Sequence, residues 1–484
     1  MAFHGRNPDL LKTINQMYMK RIAYLLLLSL LLAGCSSEPK VKYVFYFIGD
    51  GMGVNEVIGT NLYNQANGQD NVNFTGFPVV NFITTVSANS LVTDSSAAGT
   101  ALASGVKIDN GVVGLDPDGN TVSCLTEWAH AAGFGTGVAT SVGVNHATPA
   151  SFAAHSESRG NYEEIALQMI DSPVDFMAGS TFLVQRNTGH DAAYFEHKAD
   201  SAGITLYKGP GAIQGIDVTK PRVLCLSAKA EDSIPYAIDR KEDDTQLADF
   251  TDAGIRYLES RYGKKGFFFM IEGGKVDYAG HSNDAAACFQ EVNDMAKSVD
   301  LALAFLARYP KETLIVITAD HETGGLMLGS GRYEMFPERL ARQHASVDAL
   351  TEQFRTTFFP EDKPFKTPTW DAVKAFFAEE LGLWGDVEVS ERAEKGLKDV
   401  YDQTFGKGGD RNLSESNLYS VNFRLVADMV RALDRAAGYQ WSYGSHSGSP
   451  VGLYVTGACA EEFNAVRDNA EIAPLIAKLA GYTK

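Results

Sequence analysis

Residues 42–48 read Lys-Tyr-Val-Phe-Tyr-Phe-Ile, and Gly49-Asp50-Gly51-Met52-Gly53 follow at once. The run is short, rich in aromatic and β-branched side chains, and shows no alternation of polar with apolar. It predicts a strand buried on both faces. Gly266–Ile271 (GFFFMI) and Thr313–Thr318 (TLIVIT) share this character, and Val451–Thr456 has it more weakly. Amphipathic stretches at Thr245–Arg261 and Ala285–Tyr309 lie between them. Strands alternating with helices predict an α/β fold, a three-layer α/β/α sandwich around a large, mostly parallel sheet. From about Ser330 to Tyr439 the buried-strand pattern stops. There Trp370–Leu383, Ser390–Phe405 and Asn417–Ala437 read as helices between turn-rich segments, so a helical insertion or cap is expected near residues 330–440.

The chain has 484 residues, 45% hydrophobic and 21% charged, which excludes disorder and a simple coiled coil and allows a large core. Its 60 acidic and 42 basic residues give a net charge of −18, which argues against a nucleic-acid polymer as partner. The same excess supplies carboxylates for cations.

Ligands in open α/β sheets bind beyond the carboxyl ends of the strands, so the residue after each strand carries information. Asp50 ends the first strand among glycines that admit close backbone approach. A dinucleotide loop is excluded there, because Val54 and Glu56 stand where a third Gly is needed. After the second strand come Glu272, Asp277 and His281, and four-residue spacing puts Asp277 and His281 on one helix face. After the third come Asp320 and His321. Any one of these reads as a cap or a surface histidine. Together, charges clustered at three strand ends call for a cation or another partner. Elsewhere, Asp94-Ser95-Ser96-Ala97-Ala98-Gly99-Thr100 opens a helix. Ser95 there faces backbone N–H groups suited to an anion, or else Asp94 or Ser95 simply caps the helix.

The segment Asp94–Thr100 resembles the nucleophile signature of alkaline phosphatases. Asp50, Ser95, His146-Ala147-Thr148, Arg159, Glu272, Asp277 with His281, Asp320-His321 and His446 fall in that family's order, across residues 42 to about 457. The resemblance implies hydrolysis of small-molecule phosphate monoesters through a phosphoserine on Ser95, with two Zn²⁺ and one Mg²⁺ per chain and a homodimer. It implies that Asp277, His281 and His446 hold one zinc and Asp50, Asp320 and His321 the other. Asp50, Thr148 and Glu272 are implied to hold magnesium, with Asp50 bridging. Imidazole and carboxylate suit zinc, and hydroxyl and carboxylate oxygens suit magnesium. Arg159 is implied to clamp phosphate oxygens, although His155-Ser156-Glu157-Ser158-Arg159 reads by itself as a solvated turn. His146 stands where some bacterial members carry Asp, and is expected to act on the magnesium from outside its direct ligands. Tyr278 stands where Lys or His is commoner, which removes a positive charge beside the phosphate.

Other hydrolase classes fit less well. There is no C/S-x-P-x-R element for a sulfatase and no G-x-S-x-G elbow. Phosphodiesterases share the zinc ligands but commonly lack the Asp-Ser signature and the clamping Arg. A lipid-anchored zinc- or phosphate-binding protein without catalysis leaves Ser95 without a purpose.

Lys20-Arg21 precede an apolar run, Ile22–Ala33, that is too short to span a bilayer as a helix. Leu32-Ala33-Gly34-Cys35 then resembles a bacterial lipobox. Residues 1–35 are therefore expected to be a signal segment, with 1–18 a mis-called start and residues 36–484 the catalytic domain. The mature chain is expected to be periplasmic or at the cell surface, held to the membrane by a lipid at Cys35. Cys124, Cys225, Cys288 and Cys459 fit equally two disulfides or small buried hydrophobes. Mass spectrometry of the mature chain is expected to show lipidated Cys35 as its first residue. An unlipidated chain retaining residues 20–35 contradicts this.

Overall fold

The computed structural model describes residues 41–185, 189–329, 333–360 and 366–482. The expected signal segment and lipobox, and Ser330, lie outside the described residues.

Nine strands form the main sheet. They are β1 (Tyr43–Gly49), β2 (Val79–Ile83), β3 (Gly135–Thr140), β4 (Phe176–Gly179), β5 (Ile204–Lys208), β6 (Arg222–Leu226), β7 (Phe267–Gly273), β8 (Thr313–Ala319) and β9 (Val451–Gly457). Their order is β2-β9-β8-β1-β7-β3-β4-β6-β5. All pairings from β8 through β5 are parallel, whereas β9 runs antiparallel to both β8 and β2. The expected mostly parallel sheet is thus present. β1, β7 and β8 are buried along their whole lengths, as unbroken apolar runs require.

Successive side chains of β1 point to opposite faces, and each face meets its own aromatic layer. Phe45 packs edge-on against Phe305 of the helix Ala285–Arg308, with ring centroids 5.3 Å apart. Tyr46 faces Phe152 and Phe268, at 6.1 and 6.3 Å. Beside the helix Ala285–Arg308, the helix Ile472–Ala480 also lies against β1, which completes the three layers.

Within the expected insertion, four helices pack together: Val347–Phe358, Trp370–Leu381, Glu391–Phe405 and Arg424–Ala437. Phe354 is their aromatic hub, against Phe377, Phe405 and Phe423. One expectation is corrected here. The helix predicted over Asn417–Ala437 begins only at Arg424. Residues 414–416 and 421–423 instead pair as a small antiparallel hairpin. The Asn417 side chain closes the turn between them by accepting from the N–H groups of Tyr419 and Ser420, at 2.8 and 2.7 Å. An Asn that bonds its own backbone competes with helix formation. Cys124, Cys225 and Cys288 are separate buried thiols, and burial pushes Cys124 up to about 12.

Asp284 joins the insertion to the sheet. It caps the helix Ala285–Arg308 by accepting from Ala287 N–H at 3.0 Å. It also accepts from Gln343 Nε2 at 2.9 Å and Val347 N–H at 2.8 Å. Burial raises its carboxyl to about 6, although these donors pull it back down. Asp284→Ala removes the acceptor of the Ala287 and Val347 N–H groups and leaves Gln343 Nε2 only Ala345 O, and is expected to cost about 2–4 kcal/mol in denaturant unfolding.

Candidate active site and metal centres

β8, β1 and β7 are neighbours, and their carboxyl ends carry Asp320, Asp50 and Glu272. The register pairs Ile48 with Glu272 and Gly49 with Ala319, so the three carboxylates share one edge of the sheet. The chain turns away after Asp50 through Gly51, at φ 71°. A Cβ there would lie 2.7 Å from Asp277 Cα and 2.9 Å from Thr323 Oγ1, so only glycine fits. The Gly51 N–H donates to Asp320 Oδ1 at 3.1 Å.

Asp277 and His281 lie one turn apart on the buried helix Lys275–Ser282. His281 Nδ1 bonds Gly444 O at 2.9 Å, and His446 Nδ1 bonds Thr93 O at 2.9 Å. A carbonyl accepts only, so each Nδ1 carries a proton, and in the neutral ring each Nε2 presents a lone pair. Those two nitrogens lie 3.4 and 3.7 Å from Asp277 carboxylate oxygens. Thr323 does the same for His321. Its hydroxyl donates to Asp277 and accepts from His321 Nδ1 at 3.2 Å. His321 Nε2 is then a lone pair 3.4 Å from Asp50 Oδ1 and 3.3 Å from Asp320 Oδ2.

Ser95 is the first residue of the helix Ser95–Ser104, and Asp94 is its cap, accepting from Ala97 N–H at 3.0 Å. Cap and candidate nucleophile are therefore adjacent residues rather than competing readings of one. Ser95 Oγ is 3.2 Å from His321 Nε2. Asp94 Oδ2 also accepts from Ser96 Oγ at 2.7 Å and Arg159 Nη1 at 3.1 Å. Burial would raise the Asp94 carboxyl, but Arg159 and these donors hold it below its usual range. Arg159 thus reaches the site on an anchor, and its segment is no mere surface turn. Its Nη2 lies 3.4 Å from His146 Nε2. Burial and then Arg159 push His146 down to about 3, so its imidazole is neutral.

Among the described residues, three groups of donor atoms lie close enough to share a cation: Asp277, His281 and His446; Asp50, Asp320 and His321; and Asp50, His146 and Glu272. Asp50 belongs to two of them. Thr148 is buried beside Glu272, on the short helix Ala147–Ala150. Burial and the nearby Asp320 raise Asp50 well above the carboxylate range. Burial, then Asp277, pushes Asp320 up to about 8, and burial lifts Glu272 to about 7. Both oxygens of Asp50, with Asp277 Oδ2, Asp320 Oδ2, Glu272 Oε1 and His281 Nε2, are buried without a hydrogen bond. Crowded, unpartnered carboxylates facing lone-pair nitrogens are unstable without positive charge, and they fit divalent cations. The structure thus brings Asp50, Ser95, His146, Thr148, Arg159, Glu272, Asp277, Tyr278, His281, Asp320, His321 and His446 to one place.

Two residues there carried no sequence signal. Thr323, which orients His321, is a threonine two positions beyond a strand-end pair. Tyr419, on the insertion hairpin, stacks on Tyr278 with ring centroids 3.6 Å apart, and its hydroxyl lies 3.4 Å from His146 Nε2.

Known proteins share this chain's sequence and fold. The family model described as alkaline phosphatase matches residues 41–177 and 218–482. Alkaline phosphatase 3 of Bacillus subtilis is 30% identical over 92% of this chain and 90% of its own length. The repressible alkaline phosphatase of Saccharomyces cerevisiae is 30% identical over 72% of this chain and 68% of its own. The crystal structure of a cold-active alkaline phosphatase from a psychrophilic Shewanella superposes with TM-score 0.73 at 28% identity, covering 91% of this chain and all of that one. The alkaline phosphatase of Thermus thermophilus, 24% identical, shares the fold with TM-score 0.73 over 92% of this chain and 93% of its own. Sheet, site and sequence together make the chain a phosphatase hydrolase that belongs to the alkaline phosphatase family.

Proposed function

We propose that this chain is an alkaline phosphatase in the strict sense, hydrolysing phosphate monoesters through a phosphoserine on Ser95 and releasing inorganic phosphate. The observation that carries this is the Ser95 hydroxyl, buried at a helix N-terminus 3.2 Å from His321 Nε2, where the donor clusters meet. Asp277, His281 and His446 would hold one Zn²⁺ and Asp50, Asp320 and His321 a second, with Asp50, Thr148 and Glu272 on Mg²⁺. When bound, such cations supply Lewis acidity and activate hydroxyl and water near neutral pH.

The protein's own residues organise the rest. Ser95 Oγ attacks phosphorus and gives up its proton to solvent as the ester P–O bond breaks on the opposite side, and the leaving oxygen takes a proton from solvent to depart as the alcohol. The free N–H groups at the start of the helix Ser95–Ser104 face the anion so formed. Arg159 keeps Nη1 on Asp94 and turns the rest of its planar fork to two phosphate oxygens. Water then attacks phosphorus and breaks the bond to Ser95 Oγ. A helix-mounted nucleophile with a clamping Arg favours monoesters, whose second charge the Arg meets.

The wider context is proposed on sequence grounds. The mature chain would begin at Cys35 as a lipid-anchored protein of the periplasm or cell surface. Its catalytic domain spans residues 36–484 with an insertion near 330–440, and it acts as a homodimer.

Ser95→Ala is expected to keep the parent's metal content and lose p-nitrophenyl phosphate turnover by on the order of 10³-fold or more. A metal-loaded parent no faster than Ser95→Ala overturns the nucleophile assignment, and preference for bis-aryl over aryl phosphate overturns the monoester reading. Chelation is expected to abolish turnover and lower the melting temperature together, because ions that bind only the folded chain stabilise it. Added zinc and magnesium should restore both.

A further inference from the structure

We propose that Tyr419 is a positioning residue for phosphate capture, its hydroxyl taking over the His146 Nε2 lone pair when the Arg159 fork leaves that nitrogen for phosphate. The inference rests on the phosphatase reading above.

The argument is hydrogen-bond accounting at one nitrogen. Arg159 Nη2 lies 3.4 Å from His146 Nε2. A guanidinium only donates, so Nε2 is the unprotonated nitrogen and the proton is on Nδ1, which has no hydrogen-bond acceptor and so faces the Asp50 and Glu272 group as an N–H rather than as a direct metal ligand. His146 is 1% exposed, so that lone pair has no bulk water to fall back on. If the fork moves to phosphate with nothing in its place, a buried acceptor is stranded, and phosphate affinity falls by that penalty. A second donor stands ready, because the Tyr419 hydroxyl is also 3.4 Å from Nε2. Both contacts are long, as expected for two donors sharing one lone pair. A phenol O–H rotates, so the hydroxyl can take the bond over without moving its ring.

The ring itself is fixed from several sides. It stacks on Tyr278 at 3.6 Å and 14°, and meets His281 edge-on at 5.4 Å. Its backbone N–H is held by the Asn417 side chain at 2.8 Å. Asn417 Nδ2 donates to Ser282 Oγ, also at 2.8 Å, at the end of the helix that carries Asp277 and His281. The insertion hairpin is thereby fastened to the site, and its tyrosine has one orientation to offer. The site's departure at Tyr278 has a use in this arrangement. An aromatic residue there gives Tyr419 a platform that a lysine would not.

The test is phosphate binding by the metal-loaded chain, with kinetics alongside. Tyr419→Phe keeps the stacking ring and removes only the donor. Its dissociation constant for inorganic phosphate, read by calorimetry, is expected to rise roughly three- to tenfold. KM for p-nitrophenyl phosphate should rise by a similar factor, while kcat is unchanged or raised because weaker product binding does not slow release. In a His146→Ala background the same substitution should have no further effect on phosphate affinity, which a purely structural role for Tyr419 would not produce. Leu418→Ala, on the same turn and 61% exposed, should match the parent throughout. A Tyr419→Phe chain that binds phosphate as the parent does, or whose loss persists unchanged without His146, overturns the proposal. A parent that binds phosphate but turns over no monoester fails the phosphatase reading instead, and the calorimetric comparison still decides Tyr419.

Discussion

Mutual repulsion among buried carboxylates is the constraint that the rest of the molecule answers. The sheet order sets Asp320, Asp50 and Glu272 on adjacent strand ends, and Asp277 faces them from the next helix. Burial first, and then the neighbouring carboxylates, raise Asp50, Asp320 and Glu272 so that they would hold protons, whereas the surrounding histidines lower Asp277. The surroundings are arranged so that cations can take that place. Two backbone carbonyls and one threonine set the tautomers of three histidines. Each presents a lone pair, not a proton, to the acids. The strands that carry the charges are the most apolar in the chain, which holds a highly charged edge on a rigid base.

What the sequence revealed depended on whether a residue's role leaves a pattern in its neighbours. β1, β7, β8 and β9 were legible because buried strands must be continuously apolar. β3 was not, since it reads Gly-Thr-Gly-Val-Ala-Thr over residues 135–140. Its glycines make room for aromatic rings on other elements. A Cβ at Gly135 would sit 2.3 Å from the Tyr262 ring, and one at Gly137 would sit 2.7 Å from Phe269. The bulk that marks a strand lies on its partners. β4 has only four residues, too few to show a period.

The site followed the same rule. Asp, Glu and His at strand ends stand out because such groups are rarely buried, and the Asp-Ser helix start has a recognisable form. Thr323 and Tyr419 belong to types found everywhere, and their roles come from where the fold sends them. Tyr419 was further hidden by the reading of Asn417–Ala437 as one helix. That reading weighed the apolar periodicity after residue 423 over the capacity of Asn417 to bond its own backbone. The insertion is thus not only a cap on the sandwich, since its hairpin ends against the residues that would bind phosphate.

The position of β9 bears on how the chain reaches this state. It pairs antiparallel between β2 and β8, and is synthesised after both. Until residues 451–457 arrive, β8 is an open, largely apolar sheet edge and β2 lacks its partner in the sheet. Such edges invite pairing with other chains. His446 lies just before β9, and its bond to Thr93 closes a separation of 353 residues. Contacts of such range form late and slow folding. The nascent protein therefore passes its most aggregation-prone stage while the Asp277, His281 and His446 cluster is still incomplete, and docking of one seven-residue strand closes the edge and brings in the last of those side chains.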